Sequence, residues 1–465
     1  MLSASVVKTI TTTTAGSLST LIAADESTTV TDLIVTGPVD AQDFKFMRDN
    51  MTVLASLNLA SADIMDYNGT NGTLSANVTD YPSNTVPSSA FKTTAGKVSL
   101  VAVVLPNSIV TIDASAFNKC TGLTTINIPS TVSTIGSMCF MNCSSLTSVT
   151  LPQGIVSIAT STFFGCAKLT TVVIPSTVTT INSGAFRVCT GLTSFVFPSS
   201  IITIGAQIFQ GCTALTSVDM SAASGLTTSG NSTFAGCTSL TSVTLPSSVT
   251  LIEQMSFSGC SALKTFVIPS TVKTLGGTCF LGCSSLLSIE IPSSVVTTAL
   301  SMFMGCSSLA TVIFQENLNS SFMGNQSFKD CLGLKEIYLY RTKVPLNISN
   351  AFFENVAVGN VKLYVPSASL ALYQADPFWK TFQSISAITT STGVSAQQED
   401  DLKVYTSPSG IEVISTVANE LIEVYSTLGV RLVTTRSEVG PTTIVVPKGA
   451  IYIVRMGGKT SKVIL

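Results

Sequence analysis

Histidine is missing from this chain altogether, and only 10% of its residues carry a charge. Without histidine there is no Ser-His-Asp triad and no histidine-ligated zinc, which removes much of hydrolytic and metal chemistry. The few charges nearly balance, 23 basic against 25 acidic, so neither a basic nucleic-acid face nor a polybasic membrane patch is present. Although 45% of residues are hydrophobic, no apolar run reaches the ~18 residues of a membrane-spanning helix. The opening MLSASVVKTITTTT lacks the charged-then-apolar order of a signal peptide. The expectation is therefore a cytosolic chain or a mature form with an added start Met. No phosphate loop, dinucleotide glycine fingerprint or Cys-x-x-Cys pair occurs, and GGK at 457–459 lacks the preceding glycine spacing. Glu253, Glu290 and Glu316 fall in different repeats, so no carboxylate pair is assembled. These absences predict no enzyme activity, no catalytic residue, no cofactor and no metal.

What the chain has instead is a period. Leu100, Leu123, Leu146, Leu169, Leu192 and Leu215 are 23 residues apart; a 25-residue step leads to Leu240, Leu263, Leu286 and Leu309, and a second to Leu334. A fixed period in this range marks a solenoid, whose units bury their apolar faces only against neighbours. In 146–168 the apolar offsets from the leucine are Leu146, Val149, Leu151, Ile155, Ile158, Phe163 and Cys166. L-x-x-V-x-L ends in alternation and reads as a short strand with one buried face. Proline at offset 6, as in Pro152 and Pro175, has no N–H to donate and stops it. Val-x-x-Ile forms a second, shorter extended piece, and the stretch before cysteine fits a single helical or 3₁₀ turn. Such coils stack their strands in parallel at roughly 4.8 Å, so eleven make a sheet about 50 Å long. Offset 17 is phenylalanine from Phe117 to Phe328, read as an interior ladder that holds register. Ten of the twelve cysteines lie at offset 20, from Cys120 to Cys331. One per coil at a constant inward position means buried, reduced packing residues, and the additional Cys139 and Cys279 are read the same way.

This pattern, with units such as LTSVTLPSSVTLIEQMSFSGCSA at 240–262, resembles the BspA-like class of leucine-rich repeats found in surface proteins of Bacteroidetes and some protist parasites. The resemblance covers about 100–340. It implies a right-handed solenoid over 96–366 with a parallel concave sheet, and a secreted or cell-surface, adhesin-like protein. The two 25-residue steps add residues near 221–230 and 315–325, where Ser221 and Gln315 replace the usual proline; bulged coils are expected there.

The ends differ. Residues 1–95 read as a capping region, with degenerate repeat strands in 31–37 and 54–64 and a short helix over 40–50 capped by Asp40. The Gly/Asn/Ser/Thr-rich 66–88 reads as an exposed loop. In 367–389, Tyr373, Phe378, Trp379 and Phe382 are positioned to plug the last coil, with a glycan platform as the other reading. Residues 390–402 read as a linker. In 403–465, short strands separated by turn residues make a small all-β sandwich-like domain. Its ending VPKGAIYIVRMGGKTSKVIL resembles the C-terminal sorting domain of Bacteroidetes type IX secretion, which implies an export or attachment role.

Offset 4 points outward between buried offsets 3 and 5. Along the solenoid it reads Val104, Asn127, Thr150, Val173, Val196, Asp219, Thr244, Val267, Glu290, Ile313 and Tyr338. Aliphatics in a solvent-facing row mark an interaction site, although valine and isoleucine also simply suit strands. The most varied side chains gather late, so the candidate binding face is Val267, Glu290, Ile313, Lys335, Glu336, Tyr338 and Tyr340. The expected partner is a host or neighbouring-cell protein or glycan bound by a monomer; a non-binding structural spacer is the alternative.

Overall fold

The computed structural model describes residues 5–74, 78–315, 326–344, 350–388, 403–407, 410–415, 418–426, 431–444, 451–456 and 459–464. The linker at 390–402 and the second insertion, 316–325, lie outside them. The chain forms two units, Met1–Ser386 and Ala387–Leu465.

The first unit is a parallel solenoid. Each L-x-x-V-x-L segment except that at 263–268 supplies a main strand, and successive strands pair in parallel one repeat apart, Ser148 opposite Thr171 and Ser194 opposite Ser217. A 23-residue period becomes register without slippage because every coil repeats the same inward offsets. The Val-x-x-Ile segment gives a second ladder of two-residue strands, Thr134–Ile135 on Thr111–Ile112 and Thr180–Ile181 on Ser157–Ile158. One apolar core runs from Leu18 to Phe382.

The segment before each cysteine forms a third hydrogen-bonded side. It contains the expected i→i+3 turns, Asn118 N–H to Ser115 O and Cys120 N–H to Phe117 O. The intervening N–H groups of Ser115, Phe117 and Lys119 donate along the stack to Ser137, Cys139 and Met141. Alternation between the two directions requires left-handed residues at offsets 15 and 19, including Ser161, Met138 and Asn142, with glycine at Gly165, Gly211, Gly259, Gly282 and Gly305. Val188 holds offset 19 at φ 58°, a conformation that a β-branched side chain resists.

Within this side the phenylalanines stack: Phe140 on Phe163 at 5.6 Å and Phe163 on Phe186 at 5.5 Å, with interplanar angles of 7° and 6°. All twelve cysteines are free and buried. Each ladder thiol donates to the carbonyl of the preceding coil's ladder phenylalanine, Cys143 to Phe117 and Cys189 to Phe163, at 3.1 and 3.0 Å. That carbonyl also accepts the N–H of its own coil's cysteine. Cysteine at offset 20 therefore fills space and offers a weak donor to a second lone pair. Burial pushes the Cys166 and Cys212 thiols up to about 12.

The N-terminal strands Asp32–Val39 and Ser56–Ile64, with Val7–Thr11 before them, extend the main sheet to Ala102–Val104 and Thr125–Asn127. Helix Ala41–Asp49 starts at Asp40, whose carboxylate accepts from Gln42 N–H at 2.8 Å. Its C-terminal carbonyls are gathered by Lys97, whose ammonium donates to Met47, Arg48 and Met51; burial pulls that ammonium down to about 8. The 66–88 segment is not the exposed loop its composition predicts. Tyr67–Asn68 pairs antiparallel with Asp80–Tyr81, and Thr73, Tyr81, Thr85 and Val86 are buried. At the first insertion, Asp219 accepts from Ser221 N–H in a local turn, and the second ladder shrinks to a single bridge, Thr228 to Leu251. At the far end Tyr373, Trp379 and Phe382 are buried and close the last coil.

The second unit packs an antiparallel sheet of Lys403–Ser407, Gly410–Ser415 and Gly440–Ile444 with another of Leu421–Ser426, Arg431–Arg436, Ile451–Met456 and Lys459–Ile464. Its core is formed by Ile411, Val413, Ile422, Val424 and Val454 among others.

Candidate functional site

Outward offsets of the main strands build the candidate face. Side-chain alternation turns offsets 3 and 5 inward, buried or, as at Ile126, Val172 and Val243, half-buried, and offset 4 faces solvent through Thr244. Val173, Val196 and Val267 are the most open of its aliphatics, at 76%, 67% and 63% exposure. Around the first two lie hydroxyls, Thr171, Ser194 and Ser217, on the same pleat face. The middle of the face is thus methyl and hydroxyl with Asp219 as its charge.

The late coils differ. Ser288–Ile291, Thr311–Phe314, Glu336–Leu339 and Lys362–Val365 are in register, so Glu290, Ile313, Tyr338 and Tyr364 form one row. Tyr338 and Tyr364 stack at 4.5 Å and 10°. The Tyr338 hydroxyl donates to Glu336 Oε2 at 3.3 Å; burial and the Glu336 charge push that hydroxyl up to about 12. Gln315 Nε2 donates to Glu290 Oε1 at 2.7 Å. Burial, with the Glu290 charge, raises the Tyr340 hydroxyl as well.

Of the candidate residues, Glu290, Ile313, Glu336, Tyr338 and Tyr340 come together as half-buried neighbours, with Lys335 exposed beside them. Val267 stands apart in the one repeat of this region that lacks a main strand; its coil is tied on by Leu287 N–H to Lys264 O at 3.0 Å. Tyr364 completes the aromatic pair and falls beyond the regular period. The signal for it is KLYVP at 362–366, which repeats the strand's buried-outward-buried-proline order. The cluster offers two carboxylates, an amide and stacked rings, a set of hydrogen-bond acceptors beside an aromatic surface. Among the described residues no group of three His, Cys, Asp or Glu side chains is placed to hold a metal, and no helix is long and apolar enough to cross a membrane.

Comparison with known proteins gives a family match over residues 84–216 and 227–359, described as a BspA type leucine-rich repeat region in six copies. No curated protein matches the chain. Among solved structures, a leucine-rich repeat protein from Bacteroides ovatus is 25% identical, covering 62% of this chain and 92% of that one at a TM-score of 0.43. A leucine-rich repeat protein of T. pallidum is 28% identical over 40% of this chain and 78% of its own, with a TM-score of 0.33. A leucine rich cell surface protein from Faecalibacterium prausnitzii is 22% identical over 64% and 89%, with a TM-score of 0.36.

Proposed function

The chain belongs to the BspA-type leucine-rich repeat family, and on that premise we propose that it is a secreted or cell-surface binding scaffold, adhesin-like, acting without catalysis. The observation that carries this reading is the outward row of the main strands. Valines open to solvent through the middle of the row lead to a tyrosine–carboxylate cluster at its late end. A long face of this kind grips a protein or glycan over many coils, with aromatic anchors supplying most of the energy. Partners come from host or neighbouring cells, and the chain acts as a monomer. The C-terminal β unit serves export or attachment, a role supported by its likeness to type IX sorting domains.

The second reading is a spacer. It is favoured by the Ser/Thr monotony of Thr125, Ser148, Thr171, Ser194 and Ser217, which specifies little. An array of extracellular-matrix proteins and glycans, probed with the full chain, separates the two. Saturable binding to a member of the array supports the scaffold; binding to none supports the spacer.

A further inference from the structure

A cleft of about 560 Å³ opens between the last repeat turn and the C-terminal cap. We propose that it is a binding site for an uncharged sugar, separate from the main-strand face. Its apolar part is built on Phe378, which stacks near-parallel on the buried Phe353 with centroids 6.2 Å apart at 19°, beside Val356 and Val358. Tyr373, Trp379 and Phe382 are consumed in closing the core, whereas Phe378 keeps part of its ring open and the adjoining Pro377 is exposed.

The rim is polar and rich in acceptors. Glu354 receives Lys329 at 2.8 Å on Oε1 and Gln326 at 3.3 Å on Oε2, so its charge is compensated while lone pairs remain. Asn355 spends an amide hydrogen on Asp330 at 2.7 Å, which leaves Oδ1 to accept. Thr381 donates to Phe378 O at 2.7 Å and can still accept. A ligand for this rim must bring hydroxyl donors, must present a flat apolar face to the Phe378 ring, and gains nothing from charge. A pyranose meets all three conditions: its hydroxyls lie around the ring edge and its C–H groups on the faces. An apolar peptide side chain would leave the rim acceptors desolvated and unpaired, at a cost. The volume lies within the ~300–1,000 Å³ range of small-molecule sites. The backbone beneath is fixed, Asp330 N–H to Glu354 O at 3.0 Å and Val356 N–H to Phe353 O at 2.9 Å, so little ordering is needed on binding.

The test uses the full chain on an array of cello-, xylo-, manno- and chito-oligosaccharides. Wild type is expected to bind at least one series, with Phe378→Ala weaker by about tenfold, the scale of one lost aromatic contact. Asn355→Gly keeps the positive φ of 66° without strain and removes the acceptor together with the bond to Asp330; weaker binding with unchanged circular dichroism is expected. Roughly 0.5 M salt should leave binding unchanged, since no charge is read. The Tyr338→Ala, Ile313→Ser double variant should bind these sugars as wild type does. Binding to no series, equal binding by wild type and Asn355→Gly, loss in salt, or loss in the double variant would each overturn the proposal; only the last would place sugar on the strand face.

Discussion

Phe186→Ala is the sharpest perturbation of the ladder. Phe186 is fully buried, lies between Phe163 at 5.5 Å and Phe209 at 5.9 Å, and meets Phe195 at 5.3 Å with a 57° tilt. Truncating a buried phenylalanine costs about 3–5 kcal/mol. Three ring contacts disappear, each worth about 0.5–1.5 kcal/mol beyond area. The site cannot collapse, because the Phe186 N–H to Ile208 O and Cys212 Sγ to Phe186 O bonds hold the coil at its spacing. The expected cost is therefore at the upper end, about 4–5 kcal/mol. Because each coil leans only on its neighbours, the lesion should also weaken cooperativity and broaden the transition. The reference is Thr150→Ala, an exposed strand position expected to change stability by less than about 0.5 kcal/mol. Guanidinium unfolding followed by far-ultraviolet circular dichroism measures both. A Phe186→Ala cost below about 1 kcal/mol, or one equal to that of Thr150→Ala, would refute the inward assignment of offset 17.

Val188→Asn should raise stability by about 1 kcal/mol, because asparagine tolerates the left-handed conformation that valine resists; Asn142 and Asn355 already occupy this offset. Denaturation showing a loss would mean that valine packing outweighs its strain. Alkali should unfold the protein steeply. Buried thiols such as Cys166 and Cys212 ionise near 12 when folded, against an ordinary 9.0. Above about pH 9 the unfolded chain therefore releases protons that the native chain retains, and stability falls as pH rises. Each such thiol contributes about 1.4 kcal/mol per pH unit to that slope. Unfolding under reductant between about pH 10 and 11, where the unfolded thiol is ionised and the native one is not, should give a slope shallower by about that amount in Cys212→Ala, and an unchanged slope would count against the linkage.

Much of the solenoid is legible in the chain because one inward code repeats: Leu, Val, Leu, Val, Ile, Phe, Cys. The left-handed positions are only half legible. F-x-G-C in Phe257–Cys260 and Phe280–Cys283 announces them, yet Lys119, Asn142 and Val188 occupy the same offset without glycine. Here the inter-coil hydrogen bonds impose the conformation and local propensity yields. Strand Val7–Thr11 is hidden in a threonine-rich opening whose pairing partner, Asp32–Val39, lies a full coil away. The 66–88 segment has loop composition, but Tyr67 and Tyr81 bring their rings to 5.9 Å and fold it back. Lys97 has no local signal at all, since the carbonyls it gathers lie 46 to 50 residues earlier. In the candidate face, the outward parity of Glu290, Ile313 and Tyr338 follows from the period. Their mutual half-burial depends on Tyr364 and Gln315, which lie where the period lapses or loses its proline.

The central claim is that the main-strand face binds. The most direct measurement is adhesion of the immobilised full chain to host cells or matrix, comparing wild type with the Tyr338→Ala, Ile313→Ser double variant and with Phe378→Ala. Losing two anchors worth about 2 kcal/mol together should weaken adhesion by about 30-fold, with circular dichroism unchanged and Phe378→Ala adhering as wild type does. Adhesion by the double variant at wild-type strength would contradict the claim.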